Sequence, residues 1–132
     1  MGHVHIFPQA NAGRAMTAGE VFFEAGDPGD VMYVVLDGEV DLVIGGRQVE
    51  TVRPGGVFGE LALIDDAPRS GSARARTSGR VVPLDRDQFE FLIHEHPSFA
   101  VEVMSIMAAR LRRREQPEAD PSDAHGSRPG QG

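Results

Sequence analysis

The 132-residue sequence contains no cysteine, no tryptophan and no lysine, and its longest run of apolar side chains, 31–36, is six residues long. The absence of cysteine excludes disulfides and metal sites built on thiolates. Six apolar residues are far fewer than the roughly 20 that a membrane-spanning helix needs. Residues 1–8 lack the basic start of a signal peptide, so we expect a cytoplasmic protein without membrane contact.

Charge of one sign also dominates, because 20 acidic residues face 13 basic ones, all arginine, for a net charge of −7. Proteins that bind nucleic acid by neutralising phosphates usually show a basic excess or a basic face. We therefore expect no direct DNA binding, and any anion must be captured locally by a few groups.

Short apolar segments separated by turn residues predict an all-β region. Asp37-Gly38 and Gly45-Gly46 each suit a two-residue turn, and they predict two hairpins in an up-and-down arrangement. Strands this short and evenly spaced are typical of a sandwich or barrel. The expected strands are 19–26, 31–36, 39–44, 47–52, 57–58, 73–77 and 80–85.

The apolar period changes from 2 to about 3.6 near residue 85, which indicates helices. Asp85 with Gln88 predicts a capping box, and Pro97 suits the first position of a second helix that runs to Arg114. Residues 115–132 have hardly any apolar side chains and predict a disordered polar tail. We therefore expect one domain over 1–114, followed by the tail.

Residues 58–72 carry the most specific pattern in the sequence. Glycines lead into a possible helical turn at 60–64, whose free backbone N–H groups suit an anion. The acceptor Glu60, at the start of that turn, suits a sugar hydroxyl. One cation and two hydroxyls follow within a few residues: Arg69, Ser70 and Ser72. The pattern predicts a site for a small phosphorylated sugar compound.

The same segment, Phe-Gly-Glu-Leu-Ala-Leu followed by Pro-Arg-Ser, resembles the phosphate-binding cassette of the cyclic nucleotide-binding domain family. Residues 18–20, 24–27 and 32–40 resemble that family's opening strands, so the similarity covers about 16–114. The resemblance implies a mainly β fold, a cupin-like double-stranded β-roll (jelly roll) with a short cassette helix. It also implies C-terminal hinge and lid helices that respond to cyclic AMP or cyclic GMP.

The resemblance implies a ligand site made of Gly59, Glu60, Leu61, Ala62, Arg69, Ser70, Gly71 and Ser72. In such a site Arg69 pairs with the exocyclic phosphate oxygens and Glu60 accepts the ribose 2′-hydroxyl. The amides of Leu61 and Ala62 and the Ser72 hydroxyl complete the phosphate cradle, while Gly59 permits close approach. Gly71 stands where the family usually has Ala, and we expect it to loosen the loop and weaken binding.

The lid helix offers Met107, Arg110 and Leu111 as residues that cover the base. A plainer interpretation of the basic residues at 110–114 is that cations suit a helix C-terminus. Ser72, in place of Thr, bears on guanine recognition, and we favour cyclic AMP over cyclic GMP.

The sequence as a whole predicts a stand-alone cyclic nucleotide sensor. We expect no catalytic activity, no cofactor and no output domain, so its signal would pass to a partner protein or a second copy. An alternative is an adaptor with a weak or unused pocket, which Gly71 motivates. A third is a cupin-type metalloenzyme suggested by His3 and His5, although no third histidine lies in the β region, so we expect no metal.

Overall fold

The computed structural model describes residues 13–65 and 67–114, so the predicted tail at 115–132 lies outside the described residues. The described chain contains eight strands and three helices. In order they are β1 (Arg14–Met16), β2 (Val21–Phe23), β3 (Val31–Asp37), β4 (Val40–Ile44), β5 (Arg47–Val52), β6 (Val57–Phe58), α1 (Leu61–Ile64), β7 (Ser72–Ala75), β8 (Gly79–Asp85), α2 (Arg86–Glu95) and α3 (Pro97–Arg114).

The strands form two four-stranded antiparallel sheets. The first sheet has the order β1-β8-β3-β6 and the second has the order β2-β7-β4-β5. One buried cluster draws side chains from both sheets, among them Val35, Val40, Phe58 and Ala73. The mainly β, rolled architecture that the resemblance implied is thus present, with its core between the two sheets.

The two predicted hairpins have opposite outcomes. Gly45 and Gly46 both have positive φ, 61° and 78°, and join the paired strands β4 and β5 as expected. The Asp37-Gly38 hairpin is wrong, since β3 and β4 belong to different sheets. Only Gly38 has positive φ there, and the turn carries the chain from one sheet to the other. The up-and-down arrangement is therefore also wrong, and β1 had no counterpart in the prediction.

The helices cover the outer face of the first sheet. Asp85 caps α2 as predicted, because its carboxylate accepts from the Gln88 amide and its own amide donates to the Gln88 side chain, both at 2.9 Å. Phe89 of α2 and Phe99 of α3 pack with ring centroids 5.8 Å apart. They belong to a second buried cluster that includes Met32 of β3. This packing holds α3 against the roll.

Within residues 13–65 and 67–114, no helix has both the length and the apolar character needed to cross a membrane.

Candidate functional site

A cavity of about 1030 Å³ lies between β4 and β5, the segment 59–72 and the C-terminal half of α3. Its size is at the upper end of the range of small-molecule sites. All eleven residues that the sequence proposed for the site line this cavity. They are Gly59, Glu60, Leu61, Ala62, Arg69, Ser70, Gly71, Ser72, Met107, Arg110 and Leu111.

The backbone of Arg69 is fixed by the turn that follows β2. Its amide donates to the Asp27 carbonyl and its carbonyl accepts from the Gly26 amide, both at 2.8 Å. These two bonds anchor the loop between α1 and β7 on the 24–27 turn. The position of Arg69 at the cavity wall therefore depends on contacts about 40 residues away in the chain.

The Arg69 guanidinium lies in a closely fitted cradle. Nη1 donates to the Gly59 carbonyl at 3.0 Å and Nη2 to the Val31 carbonyl at 2.7 Å. The group lies 3.9 Å from the centroid of the Phe23 ring, a cation–π contact. A Cβ added at Gly29 would approach Nε to 2.3 Å, so a larger residue there would displace the guanidinium.

The charge of Arg69 has no direct counter-ion among the described residues. It forms no ion pair there, and its Nε is buried without a hydrogen-bond partner. Desolvation by burial lowers the pKa of Arg69, and the neighbouring Tyr33 and Asp30, which act in the opposite direction, do not offset it. A partly buried cation without a counter-ion, with one buried donor unused, is unfavourable. An anion at the cavity wall would supply the missing counter-charge.

Two of the remaining groups that the resemblance placed on the phosphate, the Ala62 amide and the Ser72 hydroxyl, have hydrogen-bond partners within the chain. Gly59 enters α1 with a φ of +77°. The Ala62 amide, expected on the phosphate, donates to the Gly59 carbonyl at a long 3.3 Å. The Ser72 hydroxyl accepts from the Ala25 amide at 3.2 Å and contacts a Glu24 carboxylate oxygen at 3.3 Å. Ser72 therefore also ties β7 to the turn that anchors Arg69.

Gly71 has a packing role that the sequence did not reveal. A Cβ at this position would lie 2.5 Å from the Val43 carbonyl oxygen and 2.8 Å from Cγ1 of Ile44. The residue just before β7 thus meets the end of β4 at a point where only a hydrogen fits. The glycine is explained by this close approach, and looseness of the loop is not needed to account for it.

Glu60 is the only buried charged residue in the described part of the chain, with 5% exposure. Its Oε1 accepts from Nη1 of Arg110 at 2.9 Å. Arg110 also donates through Nε and Nη2 to the two oxygens of Glu50, at 2.8 and 3.0 Å, and through Nη2 to the Val57 carbonyl. Arg113 donates to Glu50 as well, at 3.0 Å. We call Arg110, Arg113, Glu50 and Glu60 the Arg110 cluster.

The electrostatics of the Arg110 cluster are those of a mutually stabilised set of ions. Burial alone would raise the pKa of Glu50, but the hydrogen bonds and charges of Arg110 and Arg113 hold it below 4.5. Burial likewise opposes the charge of Arg110, yet the two carboxylates raise its pKa. Glu50 and Arg110 therefore both favour their charged forms, and the cluster fastens α3 to β5 and to the cassette.

The two interpretations of Arg110 drawn from the sequence, a base-covering residue and a cation placed at a helix C-terminus, did not include this pairing with Glu50 and Glu60. Arg110 is separated from Glu50 and Glu60 by 60 and 50 residues, so no local pattern could have predicted the pairing. Met107 and Leu111 line the cavity on the same helix.

No group of three or more metal-ligating side chains occurs within residues 13–65 and 67–114. His3 and His5, which suggested a metalloenzyme, lie outside the described residues.

Comparisons with known proteins identify relatives of this chain. A family model described as "Cyclic nucleotide-binding domain" matches residues 14–96. The CRP-like cAMP-activated global transcriptional regulator of Mycobacterium tuberculosis is 34% identical over 110 residues, which is 77% of this chain and 48% of that protein. The chain thus spans about half the length of that relative.

Two solved structures are also similar. The Thermus thermophilus catabolite activator protein has a TM-score of 0.69 and 32% identity, over 83% of this chain and 54% of that one. A chain described with a cyclic-GMP-dependent signalling pathway that regulates bacterial phytopathogenesis has a TM-score of 0.65 and 33% identity, over 76% and 83%.

Proposed function

Because the chain belongs to the cyclic nucleotide-binding domain family, we propose that it is a regulatory sensor whose cavity binds cyclic AMP in preference to cyclic GMP. The observation that carries the proposal is Arg69, a cation at the cavity wall with a buried, unused Nε donor and no ion pair among the described residues. A cyclic phosphate supplies the missing charge and two acceptor oxygens.

Glu60 complements Arg69 on the same cavity. It is buried and forms a salt bridge with Arg110, and a carboxylate oxygen there suits a sugar hydroxyl, as the resemblance implied. A cyclic nucleotide offers a phosphate and a ribose hydroxyl a few ångströms apart. The preference for cyclic AMP is supported by the cAMP-activated relative, while the cyclic-GMP-pathway structure makes cyclic GMP the competing ligand.

The route from ligand to signal begins at α3. Glu60 contacts the ligand in this proposal and also holds Arg110 of α3, so binding changes how this helix is held. A ligand shifts such an equilibrium by its difference in affinity for the two states. We propose that a partner protein or a second copy of the chain reads the position of α3, and that the domain itself performs no chemical reaction and uses no cofactor.

Titration calorimetry with cyclic AMP and cyclic GMP tests the proposal on the wild type, Arg69→Ala and Arg74→Ala. Arg74 is the matched control, since it is an exposed arginine on β7 and does not line the cavity. Loss of two charge-assisted hydrogen bonds, about 1.5–3 kcal/mol each, predicts about a 100-fold or greater loss of affinity in Arg69→Ala. Arg74→Ala should bind like the wild type.

Three outcomes contradict parts of this proposal. Equal affinities in the two variants would refute the site. Absence of heat with either ligand at about millimolar concentration, far weaker than the binding expected from a matched phosphate site, would favour the adaptor alternative. Tighter binding of cyclic GMP would overturn the ligand preference alone.

A further inference from the structure

Arg110 divides its hydrogen bonds unequally between two carboxylates. Glu50 takes the two-pronged contact, with Nε at 2.8 Å from one oxygen and Nη2 at 3.0 Å from the other. Glu60 receives only Nη1, at 2.9 Å, through Oε1. The other oxygen of Glu60, Oε2, accepts no hydrogen bond from the described part of the chain. Glu60 is thus ion-paired through Oε1, while its Oε2 can still accept a hydrogen bond from a ligand.

This division depends on Glu50. Guanidinium and carboxylate groups favour parallel, two-pronged contacts, so an Arg110 without Glu50 would turn its fork to the nearest remaining carboxylate, Glu60. Both oxygens of Glu60 would then be occupied by a cation. A ligand hydroxyl could enter only by breaking one of those charge-assisted bonds.

Glu50 is itself held in place. Arg113 donates to its Oε1 at 3.0 Å, and the Val57 carbonyl accepts from Nη2 of Arg110, which fixes the guanidinium plane from the β6 side. Glu50 also lines the cavity, on β5 opposite α3. Glu50 and Glu60 share Arg110 as a hydrogen-bond partner, so Glu50 can act on Glu60 through that guanidinium.

We propose that Glu50 is a positioning residue for sugar recognition, which occupies the two-pronged face of Arg110 and so keeps one oxygen of Glu60 open for a ligand hydroxyl. The inference rests on the proposed function. Neither the family resemblance nor the sequence pattern singles out Glu50, and its assignment comes from the hydrogen-bond geometry alone.

The test compares the affinities for cyclic AMP and 2′-deoxy cyclic AMP. One hydrogen bond from the hydroxyl to a carboxylate predicts that the wild type favours the ribose form by about 10-fold or more. In Glu50→Ala this ratio should fall toward 1, mainly through loss of affinity for the ribose form. Arg74→Ala, which changes an exposed arginine on β7 outside the cavity, should keep the ratio.

A merely structural role for Glu50 would weaken both ligands equally, and an unchanged ratio in Glu50→Ala overturns the inference. A wild-type ratio near 1 also overturns it, together with the contact between Glu60 and the ribose, while the phosphate binding proposed at Arg69 stands. Wild type that binds neither ligand refutes both proposals together. If Glu50→Ala does not fold, Glu50→Gln keeps the side-chain size with one acceptor instead of two, and the same reduction of the ratio is expected.

Discussion

Arg110→Ala should lower the free energy of unfolding by about 3 kcal/mol, because it removes one member of a largely buried ion cluster. The side chain of Arg110 is 16% exposed, and its two partners Glu50 and Glu60 are 19% and 6% exposed. Truncation leaves both carboxylates without their main partner and frees the Val57 carbonyl. Partial exposure of Glu50 allows some rehydration, which places the estimate at the lower end of the range for broken buried pairs.

The loss in free energy of unfolding is measured by urea denaturation and the loss in Tm by thermal denaturation, both followed by circular dichroism. In a domain of this size, 1 kcal/mol corresponds to about 4–8 °C in Tm, so a fall of more than 10 °C is expected. Arg113→Ala is the matched control on the same helix. Its side chain is 41% exposed and it has one partner, Glu50, so its loss should stay below about 1 kcal/mol.

A double variant separates the unpaired charge from lost packing. Glu60→Gln in the Arg110→Ala background removes the buried carboxylate and should recover part of the lost stability. Equal losses in Arg110→Ala and Arg113→Ala, or no recovery in the double variant, would show that the cluster does not hold α3 as described.

Two further predictions concern the residue before β7 and a residue of β5. Gly71→Ala should lower the free energy of unfolding by about 1–3 kcal/mol, because the new Cβ meets the Val43 carbonyl at 2.5 Å. Thermal unfolding measures this loss, with Ser70→Ala at an exposed position as the control, and a Gly71→Ala variant as stable as the wild type would refute the close approach. The pKa of Glu50 is lowered on folding from 4.5, so its stabilising contribution is present above that value and is lost as the pH falls through the folded pKa. The stability difference between wild type and Glu50→Gln, from urea midpoints, should therefore shrink on acidification below pH 4.5, and a difference that grows instead would contradict the sign.

Features that depend on neighbours in the chain could be predicted from the sequence. The Gly45-Gly46 turn and the Asp85 capping box follow from conformations and hydrogen bonds that span four residues or fewer, and both are confirmed. Asp37-Gly38 has the same local character, yet it does not form a hairpin. Strand β3 pairs with β8, and β4 pairs with β7. These partners lie far along the chain, so a two-residue turn pattern cannot predict them.

The candidate site likewise has some features that could be predicted from the sequence and others that could not. The cassette is nearly contiguous, so one segment of sequence identified the residues at 59–72 that line the cavity, and their contacts with a ligand stay predictions. The carbonyl cradle of Arg69, the β4 contact of Gly71 and the Arg110–Glu50 pair join residues between 10 and 60 positions apart. These arise from tertiary packing, which side-chain type and spacing do not encode.

The strand order has a consequence for how the chain folds. Among the antiparallel pairs are β4 with β5, β3 with β6, β2 with β7 and β1 with β8, so the roll is a single nested hairpin whose tip is Gly45-Gly46. Pairing can proceed outward from this turn. Once one strand pair has formed, the next pair closes only a short additional loop of chain, although β1 and β8 are far apart in sequence. The entropic cost of loop closure grows with length, so it is lowest for the outer pairs once the inner pairs have formed. The cassette lies between β6 and β7, so it connects the β3–β6 pair to the β2–β7 pair of this nested arrangement.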